Sequence, residues 1–556
     1  MYVIGVIVII VVLFTWMNIK NILLRKNRFN EKFGKEKGSF KYEDEIVTLS
    51  YYNNSKKTDK DIDDITWNDL DMNRVYNNMN TTLTNIGEEY LYALLHKVEY
   101  EDTLLEERER VIKILDENQD IRIELQAALS QFGKIYNYSM YETLDQCRKI
   151  HRESIYPHLL ICFSVIFSCI LLIWNYLVGG ICLGISLVIS ILSYYRTMRK
   201  IPDSNQWNLK YFAKMVRTVS KISNLHCEEL DSYFLELRYL KKLFKGVQTK
   251  SFFISSGVGF IADTIDLILD YIRIFTHINI IMVYDMSQII EENFKEVERS
   301  FEIIGFFDSM IAIASYKRQL PYYSTPKLSN DGVKQLQIID IYHPLVEKPV
   351  VNSINEQKGI LLTGSNASGK STFLKSIAIN AIFAQTMYFS TSKSYTASYF
   401  QIFTSMALTD NLYEKESYFI VEIKALKRIL EQLNKDTPIL CCIDEVLRGT
   451  NTLERIAASS EILAQLGNSN TICVVATHDI ELAHILASCY ENYHFKEEIV
   501  DDKVIFNYKL YNGMSTTRNA IKLLKMLGYS TDIVNKSNYR LDEFMNSGIW
   551  NPVINS

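Results

Sequence analysis

The chain has 556 residues, 48% of them hydrophobic, with only 21 Gly and 8 Pro; that size allows several domains and that composition argues against long disorder. A net charge of −5 and a pI near 6.1 lack the footprint of a strong nonspecific DNA binder. The nine Cys form no C-x-x-C pair and no Cys/His metal spacing, so they read as small buried hydrophobes in a reducing compartment, neither disulfides nor zinc ligands.

In chain order, Tyr2–Met17 is a nearly unbroken apolar run. A secretory signal would carry its basic residues before such a run, whereas Lys20, Arg25, Lys26 and Arg28 follow it. The expectation is an uncleaved transmembrane anchor over residues 1–19 with its N-terminus outside. A basic linker and a polar, helix-patterned region occupy residues 20–155. Leu159–Ser193 then runs about 35 residues without a charge, too long for one helix across a bilayer core. It divides near Asn175-Tyr176 and Gly179-Gly180 into a transmembrane hairpin over residues 156–198. Arg148, Lys149 and Arg152 precede it and Arg196, Arg199 and Lys200 follow, so both flanks belong on the cytoplasmic side and three spans are expected. Long amphipathic helices resume over residues 199–335. There Tyr271–Met286, with Arg273 and His277, reads as a buried core helix. The Lys and Arg between Lys210 and Lys250 read as solvated helix faces, with a local basic face as the alternative.

Residues 336–556 carry the chemistry. The apolar run Gly359-Ile360-Leu361-Leu362 leads into Gly364-Ser365-Asn366-Ala367-Ser368-Gly369-Lys370-Ser371, followed by a helical pattern from Thr372 to Ala384. A strand, a glycine loop and a helix N-terminus form a phosphate cradle. Lys370 can reach β- and γ-phosphates, and the Ser371 hydroxyl can sit on Mg²⁺. Pro438–Ile443 is an apolar strand without alternation, as a buried parallel strand should be, and ends in Asp444-Glu445. The first carboxylate can hold the Mg²⁺ shell and the second can polarise an attacking water. A third strand, Thr471–Ala476, ends in Thr477-His478-Asp479, where His478 is placed to sense a γ-phosphate. Lys370 and Asp444 lie 74 positions apart, without the inserted helical subdomain or LSGGQ signature of ABC transporter domains.

These residues resemble the MutS family of DNA mismatch repair ATPases. Thr363–Leu374 parallels the family's TGPNxGGKSTxxR, with Ser365 in place of Pro; Ser417–Glu422 parallels STFMVE. Asp444–Thr452 parallels DEIGRGTST, Ala476–Leu482 parallels ATHYFEL, and Tyr342–Glu347 looks like RHPVVE. The resemblance implies an α/β P-loop ATPase of the MutS type after an all-α helical core, with ATP and Mg²⁺ as ligands. It implies catalytic roles for Lys370, Glu445, His478 and Ser417, and cofactor binding by Gly364 through Thr372. Metal binding falls to Ser371 and Asp444, and the adenine stacks near Tyr508 and Val350, the latter where the family usually has a ring. The resemblance also implies that Ser417 reaches the γ-phosphate of the opposite subunit, so that two chains would close over two ATPs in a homodimer. Upstream, Thr84–Leu91, Leu104–Leu115 and Phe306–Ser315 resemble pieces of the family's helical core, split by the hairpin.

Departures are equally informative. The family's N-terminal mismatch-reading domain is expected to have no room here, and Phe234-Leu235-Glu236, which fits its Phe-x-Glu pattern, lies inside a helix pattern. Thr409–Glu416 lacks the glycine and arginine usual before Ser417. Two readings of function follow. One is a membrane-anchored, multi-pass MutS-type ATPase, its ATPase cytoplasmic, working as a dimeric switch on DNA or a DNA-bound complex. The other is an ATP-driven membrane regulator whose helical levers grip a protein partner.

Overall fold

The structure is a computed structural model. It describes residues 26–35, 38, 45–135, 138–254, 264–365, 368–406, 418–433, 436–500, 503–514, 521, 522, 524 and 527–552. The first apolar run and Ser417, Asn366 and Ala367 therefore lie outside the described residues. The chain divides into two compact units that do not follow one another along the sequence. One comprises residues 1–58, 77–94 and 108–319; the other comprises 59–76, 95–107 and 320–556.

The first unit is helical. Its central helix, Phe294–Lys317, is buried along most of its length, Val297, Phe301, Ile304, Phe307, Met310 and Ile313 being fully enclosed. Apolar residues on every side of a helix mean it is surrounded by others. Two buried carboxylates tie the surrounding segments. Asp308 accepts from the Leu83 and Thr84 amides, and from the Thr84 hydroxyl at 2.6 Å. Burial outweighs these bonds and pushes its carboxyl up to about 6. Glu89 accepts from the amides of Met140 and Tyr141 and the Ser139 hydroxyl, capping the Met140–Arg148 helix.

Two helices of this unit, Tyr156–Trp174 and Tyr176–Met198, are long and apolar enough to cross a membrane. They meet at Asn175, whose extended backbone ends the first and whose side-chain oxygen accepts from Leu177 and Val178 N–H to cap the second; Gly179-Gly180 lies inside the second helix. Their outer faces carry uncovered large side chains, with Phe163 68% and Trp174 92% exposed. Between them Ser168 and Ser186 share a hydrogen bond at 3.2 Å, the kind of small polar contact that joins apolar helices.

Residues 271–286 do not form one helix. The chain breaks at His277, left-handed at φ 55°, between Thr264–Thr276 and Ile278–Glu292. Ile280, Val283 and Met286 are buried as expected, but Tyr271 and Ile272 are exposed. Periodicity predicted apolarity here and could not locate a single-residue kink.

The second unit is a mixed α/β structure with two sheets. The smaller runs in the order β1 (Lys327–Ser329), β5 (Ser394–Ser398), β2 (Leu336–Ile341), β3 (Asn352–Glu356). The larger runs β10 (Lys503–Asn512), β9 (Tyr490–Val500), β4 (Gly359–Thr363), β8 (Thr471–Ala476), β7 (Ile439–Asp444), β6 (Gln401–Ser405). From β9 to β6 all its neighbours are parallel, and β10 is antiparallel to β9. Strands β4 and β8 are buried at every position, and so is β7 up to Asp444, which accounts for their unbroken apolar sequences. Mixed α/β sheets after a helical N-terminal region fit a MutS-like architecture.

Candidate active site

In a parallel sheet the carboxyl ends of adjacent strands open onto one crevice, where ligands bind. Here three adjacent strands, β4, β8 and β7, deliver their sequence motifs to that edge. The ladder carries the ends into register: Thr477 N–H donates to Leu362 O and Glu445 N–H to Ala476 O, both at 2.9 Å.

After β4 the chain turns at Gly364, φ 143°, where a Cβ would stand 2.8 Å from the Phe495 carbonyl oxygen, so only glycine fits. Gly369, φ 106°, begins the helix Lys370–Thr386. The buried Lys370 ammonium folds back into its own loop, donating to Gly364 O and Ser365 O at 2.8 Å each. Burial lowers its pKa from the ordinary lysine value, opposed by the negative charges of Asp444, Glu445 and Glu497. In the first helical turn Ser371 Oγ donates to Asp444 Oδ2 at 2.6 Å, so strand β7 and the loop helix meet through two hard oxygen donors. That donor pair suits Mg²⁺, which takes oxygen ligands and keeps places for water and phosphate. Thr372 is exposed at the next position, and the buried Ser368 hydroxyl has no partner among the described residues.

Glu445 sits in the left-handed region at φ 62° and Leu447 at φ 56°. A non-glycine residue held there stores backbone strain of about 1–3 kcal/mol, a common mark of a working site. The turn aims Glu445 at an imidazole and a guanidinium: Oε1 lies 3.0 Å from His478 Nε2 and Oε2 lies 2.6 Å from Arg448 Nε. Burial raises the Glu445 pKa, but the His478 hydrogen bond and the charges of Arg448, His478 and Lys370 together hold it below the ordinary carboxylate value. Arg448 N–H donates to Glu422 Oε1, and a Cβ at Gly449 would stand 2.9 Å from Phe419 Cβ. These contacts place the N-terminal turns of the helix Tyr418–Leu430, directly after Ser417, against the Asp444–Thr450 loop.

Beside the loop lies a cavity of ≈ 350 Å³, with Val350, Tyr508, Phe495, His343, Gly369 and Thr372 in its wall. Tyr508 reaches it through a bulge: the β9–β10 register shifts between Phe506 and Leu510, and Tyr508 takes φ 55°. Asn352 locks the bulge, its Nδ2 donating to Tyr508 O at 3.0 Å and its Oδ1 accepting from Leu510 N–H at 2.8 Å. The ring then covers Gly369, where a Cβ would come 3.2 Å from Tyr508 Cδ1. Burial, with the positive charge of Lys375, pulls His343 down to about 4, so the wall it contributes is uncharged at neutral pH.

Residues 360–545 match the family model for MutS domain V. The DNA mismatch repair protein MutS of Petrotoga mobilis is 30% identical over 290 residues, which is 50% of this chain and 33% of that protein. The corresponding protein of Clostridium beijerinckii is 28% identical over 269 residues, 46% of this chain and 28% of that one. MutS protein homolog 4 of Mus musculus is 30% identical over 265 residues, 45% of this chain and 28% of its own length. These matches support a MutS-family protein. The chain spans about a third of the length of the curated relatives it matches.

The structure brings together Gly364, Ser365, Gly369, Lys370, Ser371, Asp444, Glu445 and His478 within this MutS-like region, and places Tyr508 on one cavity with Val350, which lies before it in the chain. Sequence reasoning missed the residues that orient them. Arg448 lies three positions after Glu445, and Arg455 grips Asp479 with two hydrogen bonds at 2.9 and 2.6 Å, fixing the turn that carries His478. Arg448 was visible as the Arg of the Asp444–Thr452 motif; Asn352 and Phe495 carried no signal.

Proposed function

We propose that this chain is a membrane-anchored ATP hydrolase of the MutS type, in which ATP binding closes a homodimer through the ATPase region. One observation carries the reading: two consecutive carboxylates at the end of β7 face different partners, Asp444 the Ser371 hydroxyl and Glu445 the His478 ring. That separation suits a metal shell on one side and a water on the other. When bound, Mg²⁺ on Ser371 and Asp444 would offset phosphate charge. Lys370 exchanges the loop carbonyls for phosphate oxygens, and Glu445, ionised and oriented by His478 and Arg448, takes up the proton of the attacking water. The base enters the cavity between Tyr508 and Val350.

Family resemblance adds that Ser417 acts on the ATP of the partner chain. A mixture of Lys370→Ala and Ser417→Ala chains then regains one intact composite site per heterodimer. Activity no higher than in either variant alone, with heterodimers shown by cross-linking, defeats the in-trans arrangement.

The exposed apolar faces of Tyr156–Trp174 and Tyr176–Met198 support the membrane hairpin, and the basic residues flanking it support a cytoplasmic ATPase. In intact cells, and in a background without native Cys, a Cys reporter at the exposed Gly180, where an added Cβ meets nothing, is labelled by an impermeant thiol reagent and one at Arg196 is shielded. The reverse pattern overturns the topology.

The relatives' names point to mismatched DNA as the load on the switch. The acidic balance and the apolar hairpin favour a second reading, in which the levers bind a protein partner at the membrane. Pull-down of the detergent-solubilised Glu445→Ala chain with ATP separates them. Recovered DNA supports the first; protein without DNA supports the second.

A further inference from the structure

The helical unit contains a cavity of ≈ 320 Å³ that has no part in the nucleotide chemistry. One wall is the short helical segment 26–32 with the turn after it, which presents Arg28 and Lys32 beside Phe29 and Phe33. Another is the helix Gln119–Phe132, where Gln126 faces the cavity. Gln126 is 7% exposed, and its side-chain oxygen has no hydrogen-bond partner among the described residues. One turn earlier on the same helix Arg122 is 2% exposed; its Nη1 donates to Leu115 O and Asp116 O, while its Nε–H has no partner among the described residues. Leaving such a group buried and unsatisfied is costly, so native folds rarely keep one facing a cavity without a use for it.

The surroundings carry an excess of positive charge. The guanidinium carbon of Arg122 lies 3.9 Å from the centre of the Phe33 ring, and that of Arg318 lies 5.0 Å from the same ring. Asp116 is the carboxylate paired with Arg318. Burial, and then the charge of Arg318, lower the pKa of Arg122, with Asp116 opposing. Arg28 also lines the cavity, so the guanidinium groups of Arg28, Arg122 and Arg318 stand against the Asp116 carboxylate and favour a bound anion. Phe29 and Phe33 on that first wall, with Leu83 and Ile311, supply the apolar part of the lining.

We propose that this cavity binds a small phosphorylated amphiphile. Its anionic head would lie at Arg28 and Lys32, the P–OH of the monoanionic head would donate to Gln126 Oε1, and its apolar portion would lie against Phe29, Phe33 and Ile311. A volume of ≈ 320 Å³ is at the lower end of small-molecule sites and admits a head group with a short chain. An acidic phospholipid and a soluble alkyl phosphate share that chemistry.

The test titrates the full chain in phosphatidylcholine nanodiscs, without nucleotide, with four probes: hexyl phosphate, dihexanoyl phosphatidate, dihexanoyl phosphatidylcholine and inorganic phosphate. Both phosphate amphiphiles bind saturably, and inorganic phosphate binds at least about tenfold more weakly because it lacks the apolar contacts. The zwitterionic lipid does not bind. The double substitution Arg28→Ala with Lys32→Ala weakens binding by about tenfold or more. Gln126→Met also weakens it while leaving the melting temperature unchanged or raised, since it removes an unsatisfied acceptor. Tighter binding of the phosphatidate assigns the site to a lipid, and tighter binding of hexyl phosphate assigns it to a soluble ligand. Equal binding by the Arg28/Lys32 variant, equal binding of phosphatidylcholine, or no saturable binding of either phosphate amphiphile overturns the proposal.

Discussion

Replacing Lys370 with Ala abolishes ATP turnover, by about 10³-fold or more, the scale on which removing one preorganised charge or donor from a transition state acts. The ammonium is buried and already desolvated, and its present partners are two neutral carbonyls, Gly364 O and Ser365 O. It therefore exchanges weak partners for a phosphate without a new dehydration cost. Loss of the side chain removes a buried cation and leaves carbonyls that water can reach, so the fold survives. Steady-state hydrolysis and the melting temperature, measured on one preparation, make the check. Hydrolysis near the unsubstituted rate removes Lys370 from the site.

Glu445→Gln keeps the shape of the turn and removes the base. Turnover falls roughly 10²-fold or more, with ATP binding retained. The pH profile carries the sign. Burial raises the pKa of this carboxyl, but His478, Arg448 and Lys370 outweigh it, so the value lies below the ordinary 4.5. The group therefore stays ionised through neutral pH, and its contribution to rate is lost only as pH falls through that lowered value. A rate that falls with acidity already between pH 7 and 6 comes from another group. Unchanged turnover in the variant would exclude Glu445 as the base.

Much of this site was legible because strands β4, β7 and β8 are buried on both faces. Such strands read as uninterrupted apolar runs, and the polar residues that end them stand out as punctuation. The orienting groups were not legible, for reasons of separation and geometry. Asn352 and Leu510 are 158 positions apart and meet only because β10 bulges at Tyr508. The four-stranded sheet has short strands that are partly exposed, and its alternation is too brief to distinguish from loop sequence. In the helical unit the apolar hairpin was visible from its missing charges, whereas the kink at His277 depends on one backbone angle.

The interleaving of the two units makes the C-terminal region an unsuitable piece to cut out or exchange. Strand β6 ends its sheet, and its final residues are finished by a segment from far upstream. Thr404 N–H donates to Thr66 Oγ1, while the Thr404 hydroxyl and Met406 N–H both donate to Asp69. Arg428 pairs with Asp63 and Lys375 with Asp71, again across the sequence. A clone beginning near residue 320 would strip all five bonds at once. It would leave two cations without their carboxylates and a bare sheet edge open to other chains. Aggregation of such a fragment would say nothing against the chemistry of the whole protein. For the same reason a gene fusion that borrowed only the motif-bearing third would inherit the catalytic signatures without the strand supports that hold them.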